Sequence, residues 1–229
     1  MDAPSALSLI LSGDPALFAI VRLSLLVTLS ATLLAGLAGL PLGAVVALTR
    51  FRGRDLVIVA LNGLMGLPPV VVGLLVFLAL SRSGPLGFLG LLFTPQAMVI
   101  AQAVLITPII AALTRQLIED LWTEYRDEFT AMQVGPCVRV KALLWDARFS
   151  LVTILLAGFG RAAAEVGAVM IVGGNIDGFT RVMTTSIALE TSKGNLALAI
   201  GLGLVLIGII FAVNACAWSV RRWSERHAG

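Results

Sequence analysis

Charge is scarce in this chain: only 13% of its 229 residues are Asp, Glu, Lys or Arg, while 59% are hydrophobic and the mean hydropathy is +1.00. A soluble domain of this size carries about twice that charged fraction, so a soluble fold is excluded. Histidine is nearly absent. His227 stands alone in the C-terminal tail, which leaves no His-based metal centre or proton relay. Lysine occurs only at Lys141, after Val140, and at Lys193, after Ser192. No Gly-x-x-x-x-Gly-Lys-Ser/Thr loop therefore exists to cradle nucleotide phosphates. Gly-x-Ser-x-Gly and His-Glu-x-x-His are missing too, and no two acids are paired within an apolar run. No catalytic residue, metal ligand set or cofactor is assigned, and the chain is expected not to be an enzyme. Cys137 and Cys216 lie far apart without metal-pair spacing and are expected as free thiols. Residues 1–16 hold no Lys or Arg, so they lack the charged segment of a cleaved signal peptide, and the first apolar run is expected to be retained. The net charge of +3 is small, and the basic residues gather at the ends of apolar runs. Membrane orientation explains them better than nucleic-acid binding.

What the chain has in abundance is uninterrupted apolar length. Five runs, 18–48, 56–80, 93–113, 149–172 and 196–220, each reach the roughly 20 residues needed to cross a bilayer. No ten-residue alternating pattern appears, and lipid tolerates no unpaired backbone, so the spans are helices rather than barrel strands. The fold class is an all-α integral membrane protein. Arg50, Arg52 and Arg54, five basic residues in 114–150 and three in the tail fall on one side, against Arg82, Arg181 and Lys193 on the other. By the positive-inside rule the N-terminus lies outside and the C-terminus inside. No internal repeat is evident, and five spans do not divide into two inverted halves. Residues 1–229 are expected to form one membrane domain.

Three stretches stand out within it. The second run carries Gly63-Leu64-Met65-Gly66-Leu67-Pro68-Pro69-Val70-Val71-Val72-Gly73. Proline lacks the N–H and crowds the carbonyl four residues back, so the helix must bend or open around Leu64 and Met65. The freed carbonyls point this segment towards a cavity; a tolerated kink is the plain alternative. The fourth run places Arg161 and Glu165 at i,i+4, where they share one helix face and neutralise each other. Charges at that depth should face the bundle interior, as part of a pathway or as a structural pair. Ala157, Gly158, Gly160, Ala162, Ala163, Ala164, Gly167 and Ala168 surround the pair and suit close helix–helix contact, within the chain or across a dimer.

The third stretch is polar. In 115–148, Leu117, Leu121, Tyr125, Phe129 and Met132 recur at helical intervals, and Gly135-Pro136 ends that helix and opens another over 137–146. The pattern predicts a helix–turn–helix knuckle on the inner side. An interfacial helix is the alternative, but six acids between Glu119 and Asp146 oppose contact with an anionic leaflet.

These motifs resemble the membrane permease of a binding-protein-dependent ABC importer of the molybdate, tungstate and sulfate class. Residues 67–73 resemble the Leu-Pro-Pro-Val-Val-Val-Gly of molybdate-class permeases. Residues 160–168 resemble their Arg-x-x-Gly-Glu-Phe-Gly-Ala stretch, and Gly174-Asn175-Ile176 its usual exit. Glu165 to Ile176 is similar to the tungstate branch in particular. The cytoplasmic Glu-Ala-Ala loop of the family, aligned on Gly135, falls on Phe129, Thr130 and Ala131, with Glu128 one residue early and Ala147-Arg148 in place of the closing Leu-Pro.

The resemblance implies a type I importer fold. Glu128, Phe129, Thr130, Ala131, Gly135, Pro136 and Arg139 would form the ATPase-coupling loop. Pro68, Pro69, Val70, Gly73, Arg161, Glu165, Gly167 and Asn175 would form the pathway or gate. It also implies a homodimer in the cell inner membrane, two cytoplasmic ATP-binding subunits and an extracytoplasmic oxyanion-binding protein; no nucleic acid is implied. Arg161 and Arg181 offer positive charge to an anion, while high-affinity capture would belong to the binding protein. Two rival functions stand beside this one: a self-contained carrier or channel, and a membrane scaffold that transports nothing.

Overall fold

A computed structural model describes residues 15–227. The leader-like charge missing from 1–16 therefore concerns positions that, up to 14, lie outside the described residues. Among the described residues the chain forms nine α-helices and no strand, as the apolar runs require. They are α1 (Pro15–Leu48), α2 (Arg54–Met65), α3 (Pro69–Leu80), α4 (Pro95–Ala131), α5 (Pro136–Asp146), α6 (Arg148–Ala163), α7 (Gly167–Gly173), α8 (Met183–Ser192) and α9 (Leu196–His227), with a 3-10 turn at Gly87–Leu89. By length and composition α1, α4 and α9 can each cross a membrane. Two bent pairs, α2 with α3 at 104° and α5 with α6 at 72°, raise the number to five if each is one span. This is a multi-pass membrane protein.

α4 is the central post. Thr94 caps its start by accepting the Ala97 N–H at 3.4 Å, and Pro95 occupies the first turn, where a missing N–H costs nothing. Met98, Ile106, Ile110 and Ile118 are fully buried along its length. α1 lies against it so closely that a Cβ on Gly43 would come within 2.4 Å of the Ala111 carbonyl. Only glycine admits that approach. Leu196, Ile200, Leu204, Ile207 and Phe211 of α9 are exposed at intervals of three and four residues, an apolar stripe that the other described residues leave uncovered.

Three expectations need correction. The third run was expected to stop at 113, but α4 continues to Ala131. No Gly or Pro interrupts 114–131, and a change from apolar to polar surface does not break a helix; the Arg115–Glu119 ion pair at i,i+4 supports the extension. The fourth run is not one helix, because it breaks at 164–166 between α6 and α7. Arg161 and Glu165 still pair, but Glu165 lies beyond the end of α6 instead of on its face. Finally, Gly135 is not the left-handed cap of the knuckle helix: its φ of −68° is ordinary, and Gln133, at φ 52°, makes the left-handed turn. Helix α8 falls in a stretch for which no element was expected.

Candidate functional site: two broken spans on a central helix

The first break is at Gly66–Pro68. Gly66 and Leu67 donate back to the carbonyls of Gly63 and Leu64 at 3.2 Å, Pro68 takes an extended ψ of 122°, and Pro69 starts α3. This is the opening expected around Leu64 and Met65. Residues 62–66 and Pro68 are exposed on the single chain.

The second break is buried at Glu165, although Ala164 stays open, and the Ala162 and Glu165 carbonyls find partners elsewhere in the fold. Gln102 of α4 donates Nε2–H to the Ala162 carbonyl at 3.1 Å, and Thr184 of α8 donates its hydroxyl to the Glu165 carbonyl at 2.8 Å. Glu165, 3% exposed, spans the gap with its carboxylate: Oε2 accepts from Arg161 Nη1 at 2.8 Å, and Oε1 accepts from the Ala168 N–H at 3.0 Å, in the first turn of α7. A carboxylate at a helix start and a guanidinium at a helix end both oppose the local dipole, so the pair ties α6 to α7 across the break. Arg161 is the more open partner, with 34% of its side chain exposed.

The two breaks meet. α3 packs on α7, where a Cβ on Gly73 would lie 2.7 Å from Ala168 Cα and one on Gly167 would lie 2.9 Å from Val70 Cγ2. Pro68, Pro69, Val70, Gly73, Arg161, Glu165 and Gly167 therefore form one locus. Asn175 stands apart, past the far end of α7, in the left-handed conformation with φ 50° and its Oδ1 buried without a partner among the described residues. The small-residue face divides: Gly158, Ala162 and Ala168 are buried inside the chain, whereas Ala157 and Ala164 stay open.

The expected coupling residues form a second locus at the α4–α5 turn. Glu128, Thr130, Ala131, Gly135 and Pro136 are exposed. Phe129 and Arg139 instead brace the knuckle from within. Phe129 stacks on Trp122 at 6.2 Å, and Arg139 lies 5.4 Å over the same indole while its Nε–H donates to the Val134 carbonyl at 2.6 Å. Met132, which recurs with the apolar face of 117–132, and Val138 were not among the expected coupling residues, yet both are exposed apolar side chains at the tip.

Gln102 and Thr184 were also missed; an amide in the middle of an apolar run is the signal that could have found the first. A third missed group ties the end of α1 and the start of α2 to the body of α4. Arg54 pairs with Glu119 and donates Nε–H to the Val46 carbonyl at 2.9 Å, while Arg115 holds the other oxygen of Glu119. Cys137 and Cys216 are free and exposed. Among the described residues no group of three or more His, Cys, Asp or Glu gathers as a metal site would require.

An all-helical bundle with two broken helices packed on an unbroken central one, and a braced knuckle at the end of that longest helix, suits a transport permease. The relatives agree. The chain is 42% identical over 217 residues, 95% of each protein, to the tungstate uptake system permease protein TupB of Peptoclostridium acidaminophilum. It is 42% identical over 206 residues to a probable anion ABC transporter permease protein of Haloferax volcanii, covering 87% of this chain and 88% of that one. It is 36% identical over 217 residues to the tungstate uptake permease TupB of Campylobacter jejuni, covering 95% and 91%. No protein-family model matches the chain. The chain belongs to the family of anion ABC transporter permeases that includes the tungstate uptake permeases.

Proposed function

We propose that two copies of this chain form the membrane pathway of an ABC importer for a tetrahedral oxyanion, tungstate first and molybdate or sulfate next. Each copy crosses the cell inner membrane five times with its N-terminus outside and its C-terminus inside, as the distribution of basic residues favours. Residues 1–229 make one permease domain, and 115–148 make its cytoplasmic coupling loop. Two ATP-binding subunits dock on the two knuckles, and an extracytoplasmic binding protein delivers the anion. The named uptake systems of the relatives support this assignment of cargo and partners.

The observation that carries the reading is the continuity of α4. Gln102, which holds the buried break, and Ala131, at the knuckle, lie on one helix, separated by roughly 44 Å at 1.5 Å per residue. Pro108 interrupts that ladder at one bond. A displacement imposed at Glu128, Thr130, Ala131, Met132, Gly135, Pro136 and Val138 is thereby carried by a packed element to the locus where α3 meets α7. Packed elements shift between discrete arrangements instead of deforming continuously, which suits a pathway that alternates. Pro68 at the first break is exposed while Glu165 at the second is buried, and this asymmetry supports Pro68, Pro69 and Val70 as the side turned to the pathway or to the second copy.

Co-purification with the ATPase, followed by ATP hydrolysis in proteoliposomes with the loaded binding protein, tests this. Tungstate should stimulate hydrolysis more strongly than molybdate or sulfate. A Cβ on Gly135 meets nothing within 4 Å, so Gly135→Gln should assemble normally and yet uncouple hydrolysis from uptake. Tungstate flux through the chain alone, without ATPase or binding protein, would establish a self-contained carrier instead.

A further inference from the structure

Arg22 is the sole charged side chain of the first three turns of α1, placed among Ile20, Val21, Leu23 and Leu25. It is exposed, and among the described residues it makes no ion pair. A guanidinium turned to hydrocarbon is costly, so a lone arginine at this depth faces water or a ligand. It lines a cavity of about 270 Å³ between α1 and the turn that links α7 to α8. Since one water occupies about 30 Å³, the space admits a small hydrated ion.

Arg181 lines the same cavity. Its side chain is only 20% exposed, and Nη1 donates to Asp177 Oδ1 at 2.7 Å. Its Nε–H is buried and has no partner among the described residues. Asp177 is 80% exposed and can swing away from Arg181. The other nearby acid, Glu190, is already held by Lys193 Nζ at 2.8 Å and Asn195 Nδ2 at 3.0 Å. Two guanidiniums beside one cavity, with donors that no described residue takes up, provide the fork geometry that suits a tetrahedral oxyanion. Asp177 lines the cavity as well, so two positive charges against one negative leave a net positive lining that attracts an anion.

We infer that Arg22 and Arg181 form a receiving subsite for a tetrahedral oxyanion dianion, with Asp177 as the counter-ion that an arriving anion displaces from Arg181. The inference rests on the proposed oxyanion import. In the orientation proposed above, the subsite lies on the outer half of the membrane, at the first station after release from the binding protein.

Ala19 lines the same cavity and reports on it without removing either arginine. In a C137S/C216A background, an A19C variant of the full importer in proteoliposomes is labelled from the outside with a membrane-impermeant maleimide. Tungstate at about ten times the site's Kd should slow labelling roughly tenfold, as occupancy requires, whereas chloride at equal ionic strength should not. R22Q should abolish this protection, and because Arg22 is exposed and makes no ion pair among the described residues, the substitution should leave Tm unchanged. D177N should produce protection at lower tungstate, the opposite of what loss of a structural ion pair would do. Labelling that tungstate leaves unchanged, or protection that survives both R22Q and R181Q, overturns the subsite. ATP-driven uptake by the wild-type complex is measured in parallel. Uptake without protection removes the subsite and leaves the importer; protection without uptake keeps the subsite and removes the importer.

Discussion

Replacing Arg161 with leucine strands a carboxylate that the fold has sealed from water. Glu165 would keep one hydrogen bond, from the Ala168 N–H, and the favourable end of α7, but it would lose the only cation paired with it among the described residues. Removing one partner of a fully buried pair costs about 3–5 kcal/mol. One feature reduces this figure. Arg161 is one-third exposed, so solvent screens part of the original attraction. Screening brings the expected loss to about 2–3 kcal/mol, or roughly 4–12 °C in Tm for a chain of this size.

Adding E165Q removes the charge, keeps an oxygen to accept from Ala168, and should recover most of the loss. Thermal unfolding of detergent-purified wild type, R161L and R161L/E165Q provides the test. An R161L variant as stable as wild type, or a deficit that E165Q does not relieve, refutes the claim that the pair ties α6 to α7.

Gly73→Ala places a Cβ 2.7 Å from Ala168 Cα and should cost about 1–3 kcal/mol as α3 and α7 are forced apart, whereas Gly63→Ala, with nothing within 4 Å, should be neutral or stabilising; Tm measured side by side distinguishes the two. Gln102→Leu leaves the Ala162 carbonyl without its side-chain donor in a buried break and should cost about 1–3 kcal/mol, with Thr184→Val acting similarly at the Glu165 carbonyl; wild-type Tm in both variants would mean that water satisfies the break. The carboxyl of Glu190 is held below its ordinary value, chiefly by the Lys193 hydrogen bond, with burial opposing and Asn195 assisting. A lowered folded-state value contributes stability above the usual glutamate range and loses it as pH falls through the folded value. Wild type should therefore exceed E190Q in Tm at pH 7, with the gap closing below about pH 4; a gap unchanged at pH 3 would mean that Glu190 does not titrate with folding. Met132→Glu and Val138→Asp should leave Tm unchanged and abolish ATPase co-purification, since both side chains are exposed at the knuckle tip.

How far the chain could be read without coordinates depended on whether the chemistry of each feature was local. Pro68 and Pro69 lack their own N–H groups, so the break they cause is written at the site of the break, and the observed end of α2 at Met65 lies where the sequence places it. The same holds for Gly135-Pro136, where Pro136 opens α5, although the left-handed residue proved to be Gln133. The break at 164–166 carries no such mark. Ala162, Ala163 and Ala164 are good helix formers, and period and hydropathy continue through them. What opens the helix there is partly supplied by Gln102, 60 residues away, and by Thr184, 19 residues on.

That difference bears on how such a break can be perturbed. A proline removes one donor wherever the chain moves, although Pro41 and Pro108 show that a helix can continue past it. The break at 164–166 instead takes side-chain hydrogen bonds from two neighbouring helices, Gln102 of α4 on the Ala162 carbonyl and Thr184 of α8 on the Glu165 carbonyl, so its support depends on where those helices stand. The two kinds of break are stacked through Gly73 on Ala168 and Val70 on Gly167. α4 packs against the second joint and also ends in the knuckle, and packed elements shift between discrete arrangements. On the proposed function, motion at the knuckle would therefore act on the joint that side chains hold.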